Sequence, residues 1–399
     1  MKEPFKSAIP VLELIERYGF KAYFVGGSVR DYILGLPIND IDIASSATPS
    51  EIKEIFPKTI DLGIEHGTVM VLHNNHSYEI TTFRSESDYV DFRRPTSVTF
   101  IRSIEEDLAR RDFTMNAVGM NRFGEILDPF EGIVDIEAKT IRTVGMASER
   151  FSEDALRMLR GIRFVSKLGF VLESDTYQGI KDNKHLLTHI AVERIAAELD
   201  KLLSGYHTSQ GIQLLIDTEI YKYIPGLPDK KAALLELSQL QIHSLFIDEK
   251  WALFSHLIQK GEKEIKQFLS SFRFSNKRVQ QISYMSKWLS ERFRNSWSID
   301  SVYACGKETA LQVEKIYQAY QSKVDSFAVD RLQAIIDALP IHSLADIKVS
   351  GSDLIEWKQK KAGPWVKDVL KEIETEILNG RLENDNEVIK EWVTKCSLN

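Results

Sequence analysis

The chain opens with MKEPFKSAIPVLELIERYGF, in which charges interrupt every apolar run at helical spacing, and this predicts an amphipathic helix. Short apolar runs closed by turn residues follow: KAYFVGG, NDIDIAS, GTVMVLHNN and SYEITTFR, each predicting a strand. Between the second and third, TPSEIKEIF predicts a short helix with Thr48 or Ser50 as its N-cap. From about Ser148 the strand pattern stops. SEDALRMLRGIRFVSKLGF, AVERIAAELDKLLS, TSQGIQLLIDTEIYKYI, ETALQVEKIYQAYQS and FAVDRLQAIIDAL all carry helical periodicity. No fixed-period repeat and no low-complexity tract occurs. The pattern predicts an α+β N-terminal head, a mixed sheet with flanking helices, followed by an extended all-α region.

Composition narrows this only a little. With 399 residues, 43% of them hydrophobic, the chain is large enough for a sizeable core and for more than one domain. No apolar run is long enough to span a bilayer, and the first helix is too charged for a signal peptide. The two cysteines, Cys305 and Cys396, make neither a metal spacing nor a disulfide framework, which fits a cytoplasmic protein. The formal net charge of −7 argues against general nucleic-acid binding, although local basic patches matter more than the total.

Chemistry concentrates first in FVGGSVRDYILGLPINDIDIA (Phe24–Ala44). Asp40 and Asp42 stand two residues apart in a strand pattern, so they share a face while Ile41 and Ile43 take the other. Two adjacent carboxylates repel unless one is protonated or a cation lies between them, and Mg²⁺ suits carboxylates combined with substrate phosphates. Alone, the pair reads equally as a solvated edge-strand feature. The preceding turn changes that reading. Gly26 and Gly27 allow close approach of backbone to a phosphate, Ser28 can cap the helix behind them, and Arg30 adds charge-assisted hydrogen bonds. An ordinary β–α turn is the plain alternative. Neither a Walker A loop nor a G-x-G-x-x-G fingerprint is present. Glu79, in SYEITTFR, is the candidate third carboxylate, or else a surface strand residue.

GGSVRD followed by NDIDIA resembles the signature of class II tRNA nucleotidyltransferases and bacterial poly(A) polymerases. The resemblance continues through RRDFTMNAVGM (Arg110–Met120), LDPFEGIVDIEAKTIRTVG (Leu127–Gly145), EDALRMLRGIRFVSKLGF (Glu153–Phe170) and ERIAAELDKLL (Glu193–Leu203), in family order and spacing. Within the family it looks like the CCA-adding type of Bacillus-like bacteria. The resemblance implies a catalytic head over residues 1–147, a base-recognising helical neck over 148–205, a helical body over 206–290 and a tRNA-binding helical tail over 291–399. It implies catalytic and metal-holding roles for Asp40 and Asp42 and Mg²⁺ as cofactor, beside which Glu79 stands as the further catalytic candidate read from the residues. Gly27 and Arg30 are then expected at the phosphates, Arg111 at the nucleotide and Asp112 at the ribose. From the residues alone, RRDFTMNA also reads as a capped apolar helix.

Asp154, Arg157, Arg160 and Arg163 recur every three residues, which on a helix is ordinarily a surface ion-pair pattern. An Asp and an Arg side by side at a base have another use. The carboxylate accepts from an exocyclic amino group and the guanidinium donates to a ring nitrogen. Cytosine and adenine both offer amino beside acceptor nitrogen, whereas uracil and guanine offer carbonyl beside N–H. One such pair therefore accepts C and A and refuses U and G without a nucleic-acid template. The resemblance assigns this role to Asp154 and Arg157, and places Arg160 and Arg163 at the triphosphate or beside the base-reading pair.

RSESDYVDFRRPTSVTF (Arg84–Phe100) reads as a mobile polar loop between strands, or a plain hairpin excursion. In the family a loop here is needed for the final adenosine, and its full length implies complete CCA addition. Val349–Val393 resembles the family's tail, with Lys358, Lys360 and Lys361 as RNA-phosphate candidates or simply a solvated helix face, and Trp365 as core. The implied activity is addition of CCA to tRNA 3′ ends from CTP and ATP. The alternatives are a poly(A) polymerase or A-adding relative, and a non-catalytic RNA-binding relative. No membrane partner is expected, and a homodimer is compatible with the pattern. Poly(A) polymerases of this group tend to carry a basic extension that this acidic chain lacks.

Overall fold

The computed structural model describes residues 1–38, 40–63, 67–86, 89–90, 94–95, 98–321 and 325–395, and of residues 86, 89–90 and 94–95 the backbone only. The chain divides into two compact units, Met1–Gln239 with Phe268–Phe274, and Leu240–Gln267 with Ser275–Asn399.

The amphipathic N-terminal stretch forms α1 (Phe5–Arg17), whose Phe5, Ala8, Val11, Leu12 and Ile15 are all buried. Next come β1 (Ala22–Val25), α2 (Gly27–Ile33), β2 (Asp42–Ser45), α3 (Pro49–Ile55), β3 (Thr59–Gly63), β4 (Thr68–His73) and β5 (His76–Thr82). Of the two N-cap candidates, Thr48 is used: it forms a reciprocal capping box with Glu51, with Pro49 in the first turn. Four short strands follow, β6 (Arg84–Glu86), β7 (Tyr89–Val90), β8 (Arg94–Pro95) and β9 (Val98–Phe100). β6 pairs antiparallel with β9, and β7 with β8, so the described part of the Arg84–Phe100 excursion is a hairpin extension. The mobility expected there, and Arg93, concern residues outside those described.

The chain continues through α4 (Ile104–Ala109), β10 (Gly119–Met120), β11 (Ile126–Leu127), α5 (Gly132–Glu137) and β12 (Thr140–Ile141). One seven-stranded mixed sheet has the order β11-β10-β1-β2-β5-β4-β3. Only β2 and β5 pair in parallel, and this sets Asp42 beside Glu79 on one side and beside Val25 of antiparallel β1 on the other. Successive side chains take opposite faces. Phe24 and Ile43 point to the α1 side, where Phe5 meets Phe24 edge-on at 4.8 Å between ring centroids. Val25 and Ala44 point to the other side, against Leu108 of α4, Phe83 and Val144. Asp42 shares that second face with Ala44, so the strand that anchors it is held by cores on both sides.

RRDFTMNA does not continue as the apolar helix its pattern allows. After α4 the chain runs irregularly and makes a single 3-10 turn, Thr114–Asn116. Thr114 N donates to Arg142 O at 2.9 Å, while Phe113 and Met115 are buried with Ile136, Ile141 and Phe164. Tertiary pairing thus overrides local helix preference.

The helical part of the first unit comprises α6 (Ala147–Glu153), α7 (Leu156–Leu168), the short strand β13 (Val171–Leu172), α8 (Ser174–Asn183), α9 (Val192–Leu203), α10 (Thr208–Asp217) and α11 (Lys231–Ser238). The periodic stretch EDALRMLRGIR is split. Asp154 is extended, with φ −138 and ψ 101, and separates α6 from α7. Asp154 and Arg157 are therefore not two positions on one helix face.

From Ile247 the chain forms α12 (Ile247–Leu257), α13 (Glu262–Ser270), α14 (Asn276–Arg294), α15 (Ile299–Cys305), α16 (Lys307–Tyr320), α17 (Ala328–Asp337), α18 (Gly351–Lys358), α19 (Trp365–Leu378) and α20 (Asn386–Lys395). Within the second unit buried Glu314 accepts from Arg292 Nε at 2.6 Å and from Trp297 Nε1 and Gln318 Nε2, both at 2.8 Å. No helix among the described residues is long and apolar enough to cross a membrane.

Gly132 at the start of α5 lies hard against the 3-10 turn. A Cβ there would stand 2.2 Å from Thr114 O and 2.8 Å from Val118 Cγ2. Because the obstacle is backbone, Gly132→Ala should destabilise the protein by at least about 2 kcal/mol. A thermal melt coinciding with that of the native chain would contradict this packing.

Candidate active site

A cavity of about 1080 Å³ opens where β1 ends and β2 begins, and α7 and Arg194 of α9 close its other side. Its floor begins at the glycine turn. Gly26 has φ +72, and a Cβ on it would come within 2.9 Å of Arg111 Nη1. Both facts require glycine at position 26. Gly27, singled out from the sequence for phosphate contact, also lines the cavity, but a Cβ there would meet only Arg30 at ordinary contact distance, 3.5 Å. Ser28 does not cap α2. Its Oγ donates to Val25 O at 3.0 Å, because the backbone enters the helix directly from Gly26. At seven residues α2 has only a small dipole, so the positive field here comes from side chains.

Asp42 opens β2, and Asp40 lies just before the strand rather than within it. Asp42 lines the cavity and is open to solvent, yet the surrounding protein mass pushes its carboxyl above the usual range; Arg111 opposes the shift and Asp40 adds to it. Glu79 is exposed on β5, in register with Asp42. Among the described residues no three His, Cys, Asp or Glu side chains gather as a metal centre, so Glu79 does not complete a three-carboxylate cluster with Asp40 and Asp42.

Arg30 and Asp112 belong to one buried network. Arg30 Nη1 donates to Asn116 Oδ1 at 2.6 Å, and Asn116 Nδ2 donates to Asp112 Oδ1 at 3.1 Å. Asp112 Oδ2 accepts from Arg160 Nε at 2.7 Å, and Phe113 N donates to Oδ1 at 2.9 Å. Burial raises the Asp112 pKa, but Arg160 and Asn116 outweigh it and hold the carboxyl at about 2. Arg30 also binds Asp31 through Nε at 2.8 Å. The alternative of Asp112 as a helix cap is excluded, since no helix starts there.

Arg111 is held from behind by Asp107, a buried residue within α4 that also accepts from Arg110 Nε at 3.0 Å. Burial works against the charge on Arg111, and Asp107 works for it. Arg157 is buried, pairs with Glu153 and donates to Arg110 O at 2.9 Å. Asp154 is instead paired with Arg194, Nη2 to Oδ2 at 2.8 Å. Arg163 pairs with buried Glu198 at 3.1 Å and lies 4.1 Å from the centroid of the Phe164 ring, which Arg30 also covers at 5.1 Å and Arg160 at 5.8 Å.

Nine basic side chains and three carboxylates line the cavity. Asp31, Asp107, Glu153 and Glu198 pair with the arginines around it, and the balance is still positive. A protein of net charge −7 thus keeps a polyanion-binding interior. Asn116, Asp107, Glu153, Glu198 and Arg194 were not singled out from the sequence. D-x-x-R-R in Asp107–Arg111 was an available signal for one of them, through helical spacing. In the second unit, Lys358 ends α18, with Lys360 and Lys361 exposed just beyond it. Trp365 is half-buried against the core of that unit, as the sequence reading had it.

Residues 22–142 match the family model for the poly A polymerase head domain, 169–230 that for the probable RNA- and SrmB-binding site of polymerase A, and 247–393 a putative tRNA nucleotidyltransferase domain 2. The fold and cavity are thus those of a nucleotidyltransferase head joined to helical RNA-processing modules. The CCA-adding enzyme of Bacillus cytotoxicus is 47% identical over 395 residues, covering 99% of both chains. That of Bacillus cereus strain AH820 is 46% identical over 397 residues, covering 99% of this chain and all of the relative. The solved Bacillus stearothermophilus CCA-adding enzyme in complex with CTP superposes with a TM-score of 0.92 at 42% identity, covering 99% of this chain and 98% of that one. The chain belongs to the CCA-adding enzyme family.

The Asp112 network has a pH signature. Its folded pKa of about 2 lies below the ordinary carboxylate value, so the stability it contributes is complete above pH 4 and is lost as pH falls toward 2. Asp112→Asn should cost about 2 kcal/mol at pH 7, and its deficit should shrink as pH falls from 4 toward 2. Urea melts of both proteins across that range check this. A deficit independent of pH would contradict it.

Proposed function

We propose that this protein adds cytidine, cytidine and adenosine in turn to the 3′ end of tRNA, from CTP and ATP and without a nucleic-acid template, releasing pyrophosphate at each step. The carrying observation is that Asp42, at the start of a sheet strand, and the Asp154–Arg157 turn line one positively charged cavity. The full-length similarity to CCA-adding enzymes, one of them solved with CTP, supports the same reading.

On this reading the arginines Arg30, Arg111, Arg160 and Arg163 receive the triphosphate with the Gly26–Gly27 turn. Asp112, fixed by Arg160 and Asn116, recognises the ribose by exchanging one of these donors for a ribose hydroxyl. Asp154 accepts from the exocyclic amine of cytosine or adenine, and Arg157 donates to the ring nitrogen beside it. The tRNA 3′-hydroxyl oxygen then bonds to the α-phosphorus, the bond to the bridging oxygen breaks, and pyrophosphate leaves.

Asp40 and Asp42 fit a divalent metal site. The surrounding protein and repulsion from Asp40 both disfavour the Asp42 charge, and a cation offsets both. Two carboxylates completed by substrate phosphate oxygens are the donor set Mg²⁺ prefers. When bound, such a cation supplies activation of the attacking hydroxyl and charge neutralisation at the phosphates. Glu79 beside Asp42 is positioned to tune that charge.

Residues 1–147 serve as catalytic head, 148–205 as base-recognising neck, 206–290 as body and 291–399 as tRNA-binding tail. Lys358, Lys360 and Lys361 offer phosphate contacts, and Lys360 lies 5.8 Å from the ring of Trp365. The protein acts in the cytoplasm. A poly(A) polymerase gains no specific support from the cavity, because the Asp–Arg polarity serves cytosine as well as adenine.

Incubation with tRNA lacking its CCA end, CTP, ATP and Mg²⁺, followed by sequencing of the 3′ ends, should show CCA and nothing longer. Asp42→Asn should reduce incorporation by at least about 10³-fold while its circular dichroism and melting stay native-like. Runs of A on the native enzyme, or near-native turnover by the variant, would refute the assignment.

A further inference from the structure

We propose that Arg194 is a positioning residue for base selection: it fixes the direction in which the Asp154 carboxylate accepts, and so helps to exclude UTP and GTP. This rests on Asp154 and Arg157 reading the base.

The geometry around Asp154 carries the inference. Asp154 is extended between α6 and α7, where no helical backbone fixes the direction of its side chain. Two donors fix it instead. Leu156 N donates to Oδ1 at 3.1 Å, anchoring the carboxylate to the start of α7. Arg194 spans both oxygens, Nη1 to Oδ1 at 3.4 Å and Nη2 to Oδ2 at 2.8 Å. Arg194 stands in the first turn of α9, a neighbouring helix, so its hold crosses forty residues of sequence. A carboxylate has about four lone-pair directions, and these three bonds leave one on Oδ2.

The forked contact decides that direction. A guanidinium presents its N–H groups in a planar fork, so a carboxylate facing it with both oxygens is held in one plane and one orientation. The remaining lone pair on Oδ2 is then the acceptor left for a base. Cytosine N4 and adenine N6 donate there, while uracil O4 and guanine O6 would face an oxygen lone pair. Without Arg194, Asp154 can rotate away from the base, and the lone-pair clash that refuses the excluded bases is lost. Arg157 needs no such help, because it is already fixed by Glu153 and by Arg110 O.

The test compares kcat/KM for all four nucleoside triphosphates on tRNA lacking CCA, with Mg²⁺ present throughout. Arg194→Met keeps an unbranched apolar stem and removes the fork. The ratio of UTP to CTP incorporation should rise at least about tenfold, the lower end of what one base contact is worth in side-chain readout of bases. Arg194→Lys keeps the charge without the fork and should fall between Arg194→Met and the native enzyme. Should Arg194→Met fail to fold, Arg194→Gln carries the same comparison. A purely structural role would lower turnover on CTP and ATP and leave the UTP:CTP ratio unchanged, which would overturn the proposal. Asp154→Asn, measured alongside, separates the two levels. If it admits UTP and the Arg194 variants do not, Arg194 has no positioning role and the base-reading assignment stands. If neither change alters the ratio, the base-reading assignment itself fails.

Discussion

The ion pair between buried Asp112 and half-buried Arg160 ties the cavity together. Asp112 belongs to the irregular segment after α4, and Arg160 to α7, so the pair joins the sheet-bearing part of the first unit to its helices. Such a pair is costly to desolvate and is stable only when its remaining hydrogen-bonding positions are filled. Asn116 and Phe113 N fill them on Asp112, and Asn116 passes the constraint on to Arg30. Breaking it would leave the buried Asp112 charge unpaired on the cavity wall.

The same economy governs the rest of the cavity. Guanidinium groups this close repel one another, and each is held by a carboxylate partner: Asp107 for Arg111, Glu153 for Arg157, Glu198 for Arg163, Asp31 for Arg30. The ring of Phe164 spaces three of them and offers its face as a further weak attraction. The arrangement is preorganised before substrate arrives, so little reorganisation is needed when a triphosphate supplies the missing negative charge.

Much of the head was legible because its signals are local. The amphipathic period of α1, the Thr48–Glu51 capping box and the Gly26–Gly27 turn before an acidic strand each lie within a few residues. What escaped depends on partners distant in sequence. Helical periodicity runs unbroken through Glu153–Arg163, so nothing in the pattern marks the extended residue at Asp154. Arg194 pairs with Asp154 from forty positions away, and Asn116 meets Arg30 from eighty-six. RRDFTMNA allowed a helix, and pairing with Arg142 and Thr143 drew it into a single 3-10 turn instead. That Gly26 is the conformationally constrained glycine of the pair was hidden for a related reason, since it shows only in the backbone angle there and in the approach of Arg111.

The central claim is that a protein turn reads the base in place of a template. A crystal structure of this enzyme with CTP and tRNA lacking its CCA end, at a resolution that places the base, tests it most directly. Cytosine N4 should lie within about 3 Å of Asp154 Oδ2 and N3 within about 3 Å of an Arg157 guanidinium nitrogen, ordinary lengths for charge-assisted hydrogen bonds. A cytosine turned away from both, with its Watson–Crick edge on other side chains or on the RNA, would contradict it.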